Sequence, residues 1–346
     1  MKLKFWSRDL SLAHRWAISG REGARLHQNV IVELTDADGV VGLGEAAPAS
    51  TYHESAASAN AFLKKVTADN LSFADIPGSM SNLEAIGPGE MAAKCALNIA
   101  LLDGAARLAG KPIYDFLGLG FRENHHVTSV SIGIDTPESI RQKTAEAGKY
   151  PVLKLKVGDP RDRENLAALR EVAPTKFVRV DANEGWKTKE QAMEMLEWLA
   201  KDGRIEFVEQ PMPRPTSVED LKWLKARSPL PLFADESYHL ATDAAFCAEC
   251  FHGINVKLVK TGGISAAHEA LQAARKAGLK TMIGCMIETS ILISAGAHLA
   301  NLADYLDLDG NLLITDDPYA GATAENGIIS FANTLDKTGL CVRARD

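Results

Sequence analysis

The chain has 346 residues, 46% of them apolar and 24% charged, with a net charge of −7. This is more than one ordinary domain, so two domains or one barrel with an addition are expected, with enough apolar residues for a large core. The acidic balance, without a basic run to offset it, excludes a nucleic-acid or anionic-membrane partner. No apolar run is long enough to span a bilayer, and MKLKFWSRDL lacks the form of a secretory leader, so a cytoplasmic location is expected.

In chain order, residues 2–12, 29–36 and 40–47 read as strands, the last two joined by the hairpin signal Asp36-Ala37-Asp38-Gly39. Residues 54–67 and 90–109 read as helices, the second stopping at Gly110 before Pro112. Together they predict an N-terminal α+β domain over residues 1–120. From 127 the pattern changes to short apolar strands alternating with helical segments: 127–133, 152–157, 177–181, 205–209, 231–235, 254–259, 281–285 and 303–307. Eight strands in 121–310 predict a parallel α/β barrel. A doubly wound open sheet is the rival, disfavoured because no G-x-G-x-x-G follows the first of these strands. Residues 311–346 are too few for a core of their own and should pack back on the first domain. The five cysteines, an odd number, give no disulfide framework; Cys247-x-x-Cys250 lacks a second pair and reads as buried helix thiols.

The run Val152-Leu153-Lys154-Leu155-Lys156-Val157-Gly158 alternates as a strand, which puts Lys154 and Lys156 on one face. Alone, it fits an exposed edge strand as well as a functional one. The residues that follow shift the balance. Strand ends carry Asp181, Glu209, Asp235 and Lys257, and the steps from Lys156 onward are 25, 28, 26 and 22 residues, one βα unit each. A barrel brings all five to one mouth, the face where barrel active sites sit. Three carboxylates converging there would repel one another, and a hard divalent cation such as Mg²⁺ resolves this; three separately solvated acids at helix N-termini are the blander reading. Lysine is a poor base at neutral pH, but a like charge ~6 Å away at an effective dielectric of ~20 disfavours its ammonium form by roughly 3 kcal/mol. Lys154 can therefore tune Lys156 for proton removal, with Lys257 facing it across the barrel.

Lys-Leu-Lys, Asp-Ala-Asn-Glu-Gly-Trp (181–186), Val-Glu-Gln-Pro, Ala-Asp-Glu-Ser and Asn-Val-Lys-Leu-Val-Lys-Thr-Gly-Gly (255–263) resemble the enolase superfamily, and within it the muconate-lactonizing-enzyme subgroup. The resemblance implies a (β/α)7β modified TIM barrel with a capping domain. It also implies Asp181, Glu209 and Asp235 as Mg²⁺ ligands, Lys156 and Lys257 as an acid/base pair with Lys154 beside them, and a metal-stabilised enediolate. Asp307-Leu308-Asp309 is similar to the Asp-x-Asp with which dipeptide epimerases hold the substrate α-ammonium, so a 1,1-proton transfer at the α-carbon of a dipeptide's C-terminal residue is expected. The position of Arg21 resembles that of the arginine gripping the glutamate side chain in L-Ala-D/L-Glu epimerases, with Arg15 and Arg25 as rivals nearby. Tyr52 or His53 should cover the site, and Cys285, Met286 and Ile287 should meet the dipeptide. L-Ala-D/L-Glu is the leading substrate, in cell-wall peptide turnover. Other dipeptides, hydrophobic or cationic, come next, then N-acylamino acids, and last a barrel reused as a binding protein. Homo-oligomers are frequent in the family, while the sequence itself leaves the oligomeric state open.

Overall fold

The computed structural model describes residues 1–20 and 23–345. Strands β1 (Lys2–Trp16), β2 (Ala24–Thr35) and β3 (Val41–Ala46) form an antiparallel sheet in that order. Helices α1 (Ala56–Leu63), α2 (Ile76–Ile86) and α3 (Met91–Leu108) pack on it, followed by the short α4 (Ile113–Phe116). Helix α2 is absent from the sequence reading. Pro77 and Gly78 look like breakers, yet Pro77 sits in the first turn, where its missing N–H is harmless, behind the N-cap Asp75. Every residue of α3 from Ala92 to Ala106 is buried. It lies so close to β3 that a Cβ on Gly42 or Gly44 would come within 2.0 Å of the Ala100 or Ala96 carbonyl oxygen. The glycines let helix backbone rest on strand backbone, and a bulkier strand would push α3 off the sheet.

After a two-residue strand β4 (His126–Val127) come the eight barrel strands: β5 (Val130–Ile132), β6 (Val152–Lys156), β7 (Phe177–Asp181), β8 (Ile205–Glu209), β9 (Leu232–Ala234), β10 (Gly253–Lys257), β11 (Lys280–Gly284) and β12 (Tyr305–Asp307). They are parallel and hydrogen-bonded in chain order. A parallel bridge between Thr128 and Leu306 closes the ring, with Ser129 N–H donating to the Leu306 carbonyl at 3.1 Å. Helices α5 (Pro137–Glu146), α6 (Asp162–Val172), α7 (Lys189–Ala200), α8 (Val218–Arg227), α9 (Ala244–Cys250), α10 (Leu258–Thr261), α11 (Ile264–Lys276) and α12 (Ser290–Ala297) connect the strands, and no helix separates β12 from the tail. The expected sixth barrel strand, 254–259, stops at Lys257 instead. The chain enters α10 directly after Lys257, and Gly262 and Gly263, with positive φ values of 92° and 124°, let it turn from α10 into α11.

The tail reaches both parts of the molecule. Thr315 N–H donates to Ser11 O at 2.9 Å and Gly339 N–H to Lys111 O at 2.9 Å, while Asp336 pairs with Arg107 of α3 at 2.6 Å. Strand β13 (Tyr319–Ala320) pairs with β16 (Arg343–Ala344), and β14 (Thr323–Glu325) and β15 (Ile328–Ser330) extend β4. Among the described residues no helix is long and apolar enough to cross a membrane. The five cysteines are all free, including the buried pair Cys247 and Cys250 in α9.

Candidate active site

The site forms at the C-terminal ends of the barrel strands. Strand alternation turns Lys154 and Lys156 inward together on β6, and Asn255 and Lys257 together on β10. The chain then has to leave the barrel sharply. Asn183 and Glu184, after Asp181, and Gln210, after Glu209, take φ values of 42°, 64° and 36°, uncommon for residues with a Cβ. Such strain next to a cluster of carboxylates is a mark of a functional site.

Oxygens of Asp181, Glu209 and Asp235 lie within 4.8 Å of one another and are fully buried. Three hard oxygen donors with no thiolate or imidazole suit a small divalent cation, which would keep water or ligand on its remaining positions. Four lysines surround them. Lys154 Nζ lies 2.6 Å from Asp307, 2.7 Å from Glu209 and 3.2 Å from Asp181. Lys156 Nζ donates to Asp181 at 2.6 Å and sits over the Trp16 ring at 5.9 Å. Lys257 Nζ donates to Asp235 Oδ2 at 2.8 Å, and Lys260 Nζ to Asp235 Oδ1 at 2.6 Å. The picture of Lys154 as a bare positive charge repelling Lys156 therefore needs revision. Burial disfavours its ammonium, yet Asp307, Glu209 and Asp181 together raise it well above the ordinary lysine range. Lys257 is likewise raised, burial being overcome by Asp235. Asp235 is driven far below the usual carboxylate range by Lys257 and Lys260, against its burial.

Several members of this network went unnoticed in the sequence. Lys260 holds Asp235 from the first turn of α10, three residues after Lys257. Asn255 Nδ2 donates to Glu209 Oε1 at 2.7 Å. Gln210 Oε1 accepts from the Asp235 and Ser237 N–H groups at 3.0 and 3.1 Å, tying the ends of β8 and β9. Glu236 accepts from Asn183 at 3.3 Å and its other oxygen is buried without a partner; burial and the neighbouring acids raise it to about 8. The available signal was their place inside the motifs that carry the family resemblance, where no role was assigned to them. Asn255 shares the face of Lys257 by alternation, whereas Lys260 required knowing where β10 ends.

A cavity of about 280 Å³ opens from these groups to the capping domain. Lys154, Lys156 and Lys257 line it, as do Asp307 and Asp309. Asp307 is saturated by Lys154 and by Ser129 Oγ at 2.6 Å. Asp309 accepts from Ser131 N–H at 2.6 Å and from the Cys285 thiol at 3.5 Å; burial and the charge of Asp307 raise it to about 6. Cys285, Met286 and Ile287 form the wall after β11. Burial and the nearby Asp309 push the Cys285 thiol up, so it is no nucleophile. Gly310 allows this wall to meet the end of β12, since a Cβ there would lie 2.4 Å from the Met286 carbonyl oxygen.

From the capping domain Tyr52 reaches the cavity, its ring edge-on to His239 at 5.5 Å with the Arg214 guanidinium 5.8 Å away. His53 forms no part of the wall; it ends the short turn Ser50–Tyr52 in a left-handed conformation. Trp16, Ile18, Ala24 and His27 complete the cap side. His27, passed over in the sequence, has a buried Nε2 without a partner, and burial lowers its pKa. Arg21 lies outside the described residues. Arg15 faces a neighbouring cavity instead, and Arg25 is exposed.

Comparison with known proteins agrees with this geometry. Residues 135–330 match the enolase C-terminal domain-like family, and residues 12–118 the N-terminal domain of the mandelate racemase / muconate lactonizing enzymes. The chain is 65% identical to an L-Ala-D/L-amino acid epimerase of Pedosphaera parvula over the whole of both chains. It is 38% identical to an L-Ala-D/L-Glu epimerase of Bacteroides thetaiotaomicron, covering 98% of this chain and 88% of the relative. A solved dipeptide epimerase of Cytophaga hutchinsonii, complexed with Mg and D-Ala-L-Val, superposes with a TM-score of 0.91 at 30% identity, over 99% of this chain and 95% of the other. The chain belongs to the mandelate racemase / muconate lactonizing enzyme family of the enolase superfamily.

Proposed function

We propose that this protein is a Mg²⁺-dependent dipeptide epimerase that inverts the α-carbon of the second residue, with L-Ala as the preferred first residue and L-Ala-D/L-Glu among its substrates. The observation that carries the reading is the placement of Lys156 and Lys257. They sit on β6 and β10, four strands apart in a ring of eight, and line the same cavity. A substrate held between them has one lysine on each face of its α-carbon, the arrangement needed for removal on one side and return on the other.

Asp181, Glu209 and Asp235 would hold the cation, whose chemistry is to bind the substrate carboxylate and offset the negative charge that grows there. The remaining steps belong to the protein. Asp309, with Asp307 behind it, takes the α-ammonium of the first residue at the far end of the cavity. Lys257, kept as an ammonium by Asp235, delivers a proton to one face while Lys156 takes one from the other, and the roles exchange for the opposite enantiomer. Lys154 offsets part of the charge of Asp307, Glu209 and Asp181 and so reduces their repulsion of the incoming substrate carboxylate. Tyr52 and its loop cover the site and exclude water. The pair Asp307 and Asp309 also bears on the alternative of an N-acylamino-acid racemase, whose substrates have no ammonium to place there.

The test is deuterium uptake in D₂O with Mg²⁺, followed by mass spectrometry across L-Ala-L-Xaa dipeptides. Uptake of one deuteron at the second α-carbon, with D-Xaa product, is expected. Uptake by N-acetylamino acids but by no free dipeptide would overturn the reading.

A further inference from the structure

A second cavity, of about 290 Å³, lies beside the substrate cavity between β1, β5 and α5. The two share three wall residues, Trp16, Ser131 and Leu313. Ser131 N–H holds Asp309, so the partition stands at the end of the substrate cavity where the α-ammonium of a dipeptide docks. This argument rests on the function proposed above. The side chain of the first residue leaves the same carbon as the ammonium, and therefore begins beside the partition. Trp16 and Leu313 pack together with Leu12 and Ile287 in a small apolar cluster separate from the main core. The Leu313 backbone is pinned, its carbonyl accepting from Ala13 N–H at 3.0 Å, so its side chain alone decides how closed the partition is.

We infer that the second cavity is a dormant subsite for the side chain of the dipeptide's first residue, closed by Leu313. With Leu313 in place the first residue is held to the size of alanine. A smaller residue at 313 lets an unbranched or γ-branched aliphatic chain run past Trp16 toward Ile132 and Tyr150. The rim of the subsite sets a charge preference as well. Lys143 is bonded to Asp135 at 2.8 Å, and the Glu146 carboxylate, hydrogen-bonded to His14 at 2.6 Å, offsets one of Arg15 and Lys149, which leaves one surplus positive charge along the wall among the described residues. Neutral and acidic first residues are favoured over Lys or Arg.

The test compares kcat/KM for L-Ala-L-Xaa, L-Leu-L-Xaa and L-Lys-L-Xaa at one fixed Xaa. Leu313→Ala should raise the Leu/Ala ratio by about tenfold or more, as expected for one or two extra buried methylenes, and leave the Lys/Ala ratio low. Leu313→Val, which removes less packing, should move the ratio the same way by a smaller factor. Ala13→Phe adds bulk to the second cavity, which exposed Ala13 lines without forming part of the substrate cavity's wall. Alone it should keep wild-type turnover of L-Ala-L-Xaa; combined with Leu313→Ala it should return the Leu/Ala ratio to the wild-type value. An unchanged ratio in both Leu313 variants, or a gain that Ala13→Phe does not reverse, would overturn the subsite while leaving the epimerase intact. Wild-type protein inert toward every dipeptide would overturn both.

Discussion

Glu45 offers the sharpest stability test, because a single buried carboxylate there joins the capping domain to the barrel. It ends β3 in Gly44-Glu45-Ala46 and is fully buried. It accepts from Asn29 Nδ2 at 2.7 Å, Thr289 N–H at 3.0 Å, Thr289 Oγ1 at 2.6 Å and Leu292 N–H at 3.3 Å. Asn29 is on β2, whereas Thr289 is the N-cap and Leu292 lies in the first turn of α12, directly behind the wall formed by Met286 and Ile287. Glu45→Ala strands two backbone N–H groups and one N–H of the Asn29 amide, whose Nδ2 still reaches the Ile287 carbonyl at 3.0 Å; at ~1–1.5 kcal/mol each this destabilises the fold by about 4 kcal/mol. With an unfolding entropy of ~2.1 cal/mol/K per residue, about 0.7 kcal/mol/K for this length, that lowers Tm by roughly 5–6 °C. Glu45→Gln is the contrasting change, since the amide keeps the shape and one acceptor oxygen and never ionises, while its NH2 must face donors that Glu45 accepts from.

Burial raises the Glu45 carboxyl from its ordinary 4.5 to about 7, against the hydrogen bonds from Thr289 and Asn29. The folded state therefore binds more protons than the unfolded chain between those values, and stability falls as pH rises through that window. The shift corresponds to about 3 kcal/mol, or ~4 °C, a loss that Glu45→Gln does not suffer. Differential scanning at pH 5 and pH 8 reads both effects. At pH 5 the alanine variant should melt about 5 °C below wild type and the glutamine variant, which strands about two donors at ~1 kcal/mol each, about 3 °C below it. By pH 8 the glutamine variant should have gained ~4 °C on wild type. Equal melting of the two variants at pH 5, or a glutamine-to-wild-type difference that does not change with pH, would refute the reasoning.

Three further outcomes follow from the site. Lys156→Ala and Lys257→Ala should each lower epimerisation by about 10²–10⁴-fold, and each should abolish deuterium exchange from one enantiomer more than from the other; equal retention of wild-type rates would exclude the two-lysine mechanism. Asp309→Asn should raise KM for dipeptides by about 10–100-fold, the loss of one charge-assisted contact, with little effect on any residual turnover of an N-acetylamino acid. Addition of Mg²⁺ to ion-free protein at about 100 times its Kd should stabilise it by ~2.7 kcal/mol, a Tm rise of roughly 4 °C, and Asp235→Asn should remove that rise.

The parts of this molecule that were readable from sequence were those carried by short-range pattern. Lys154 and Lys156 share a face because a strand alternates, and Asp181, Glu209 and Asp235 share a mouth because each is one βα unit from the next. These relations hold wherever the chain forms a barrel, so residue spacing was enough to collect them. Lys260 and Asn255 escaped because their roles depend on where β10 ends and on which oxygen of a neighbouring strand lies within reach. Helix α2 escaped because Pro77 and Gly78, breakers in a helix interior, are tolerated in its first turn.

The sequence by itself determined the architecture, the acid triad and the pair of lysines facing each other across the barrel, since periodicity and motif order are local properties of the chain. Tertiary structure alone decided which groups the charge of Lys154 acts on, since three carboxylates from β7, β8 and β12 surround it and offset the repulsion it would exert on Lys156. It also decided which capping residues line the cavity: Tyr52 and His27 do and His53 does not. The partition of Trp16 and Leu313 likewise joins residues from opposite ends of the chain, and only packing brings β1 against the segment after β12. Electrostatic strength depends on distance and burial, and the folded chain alone supplies both.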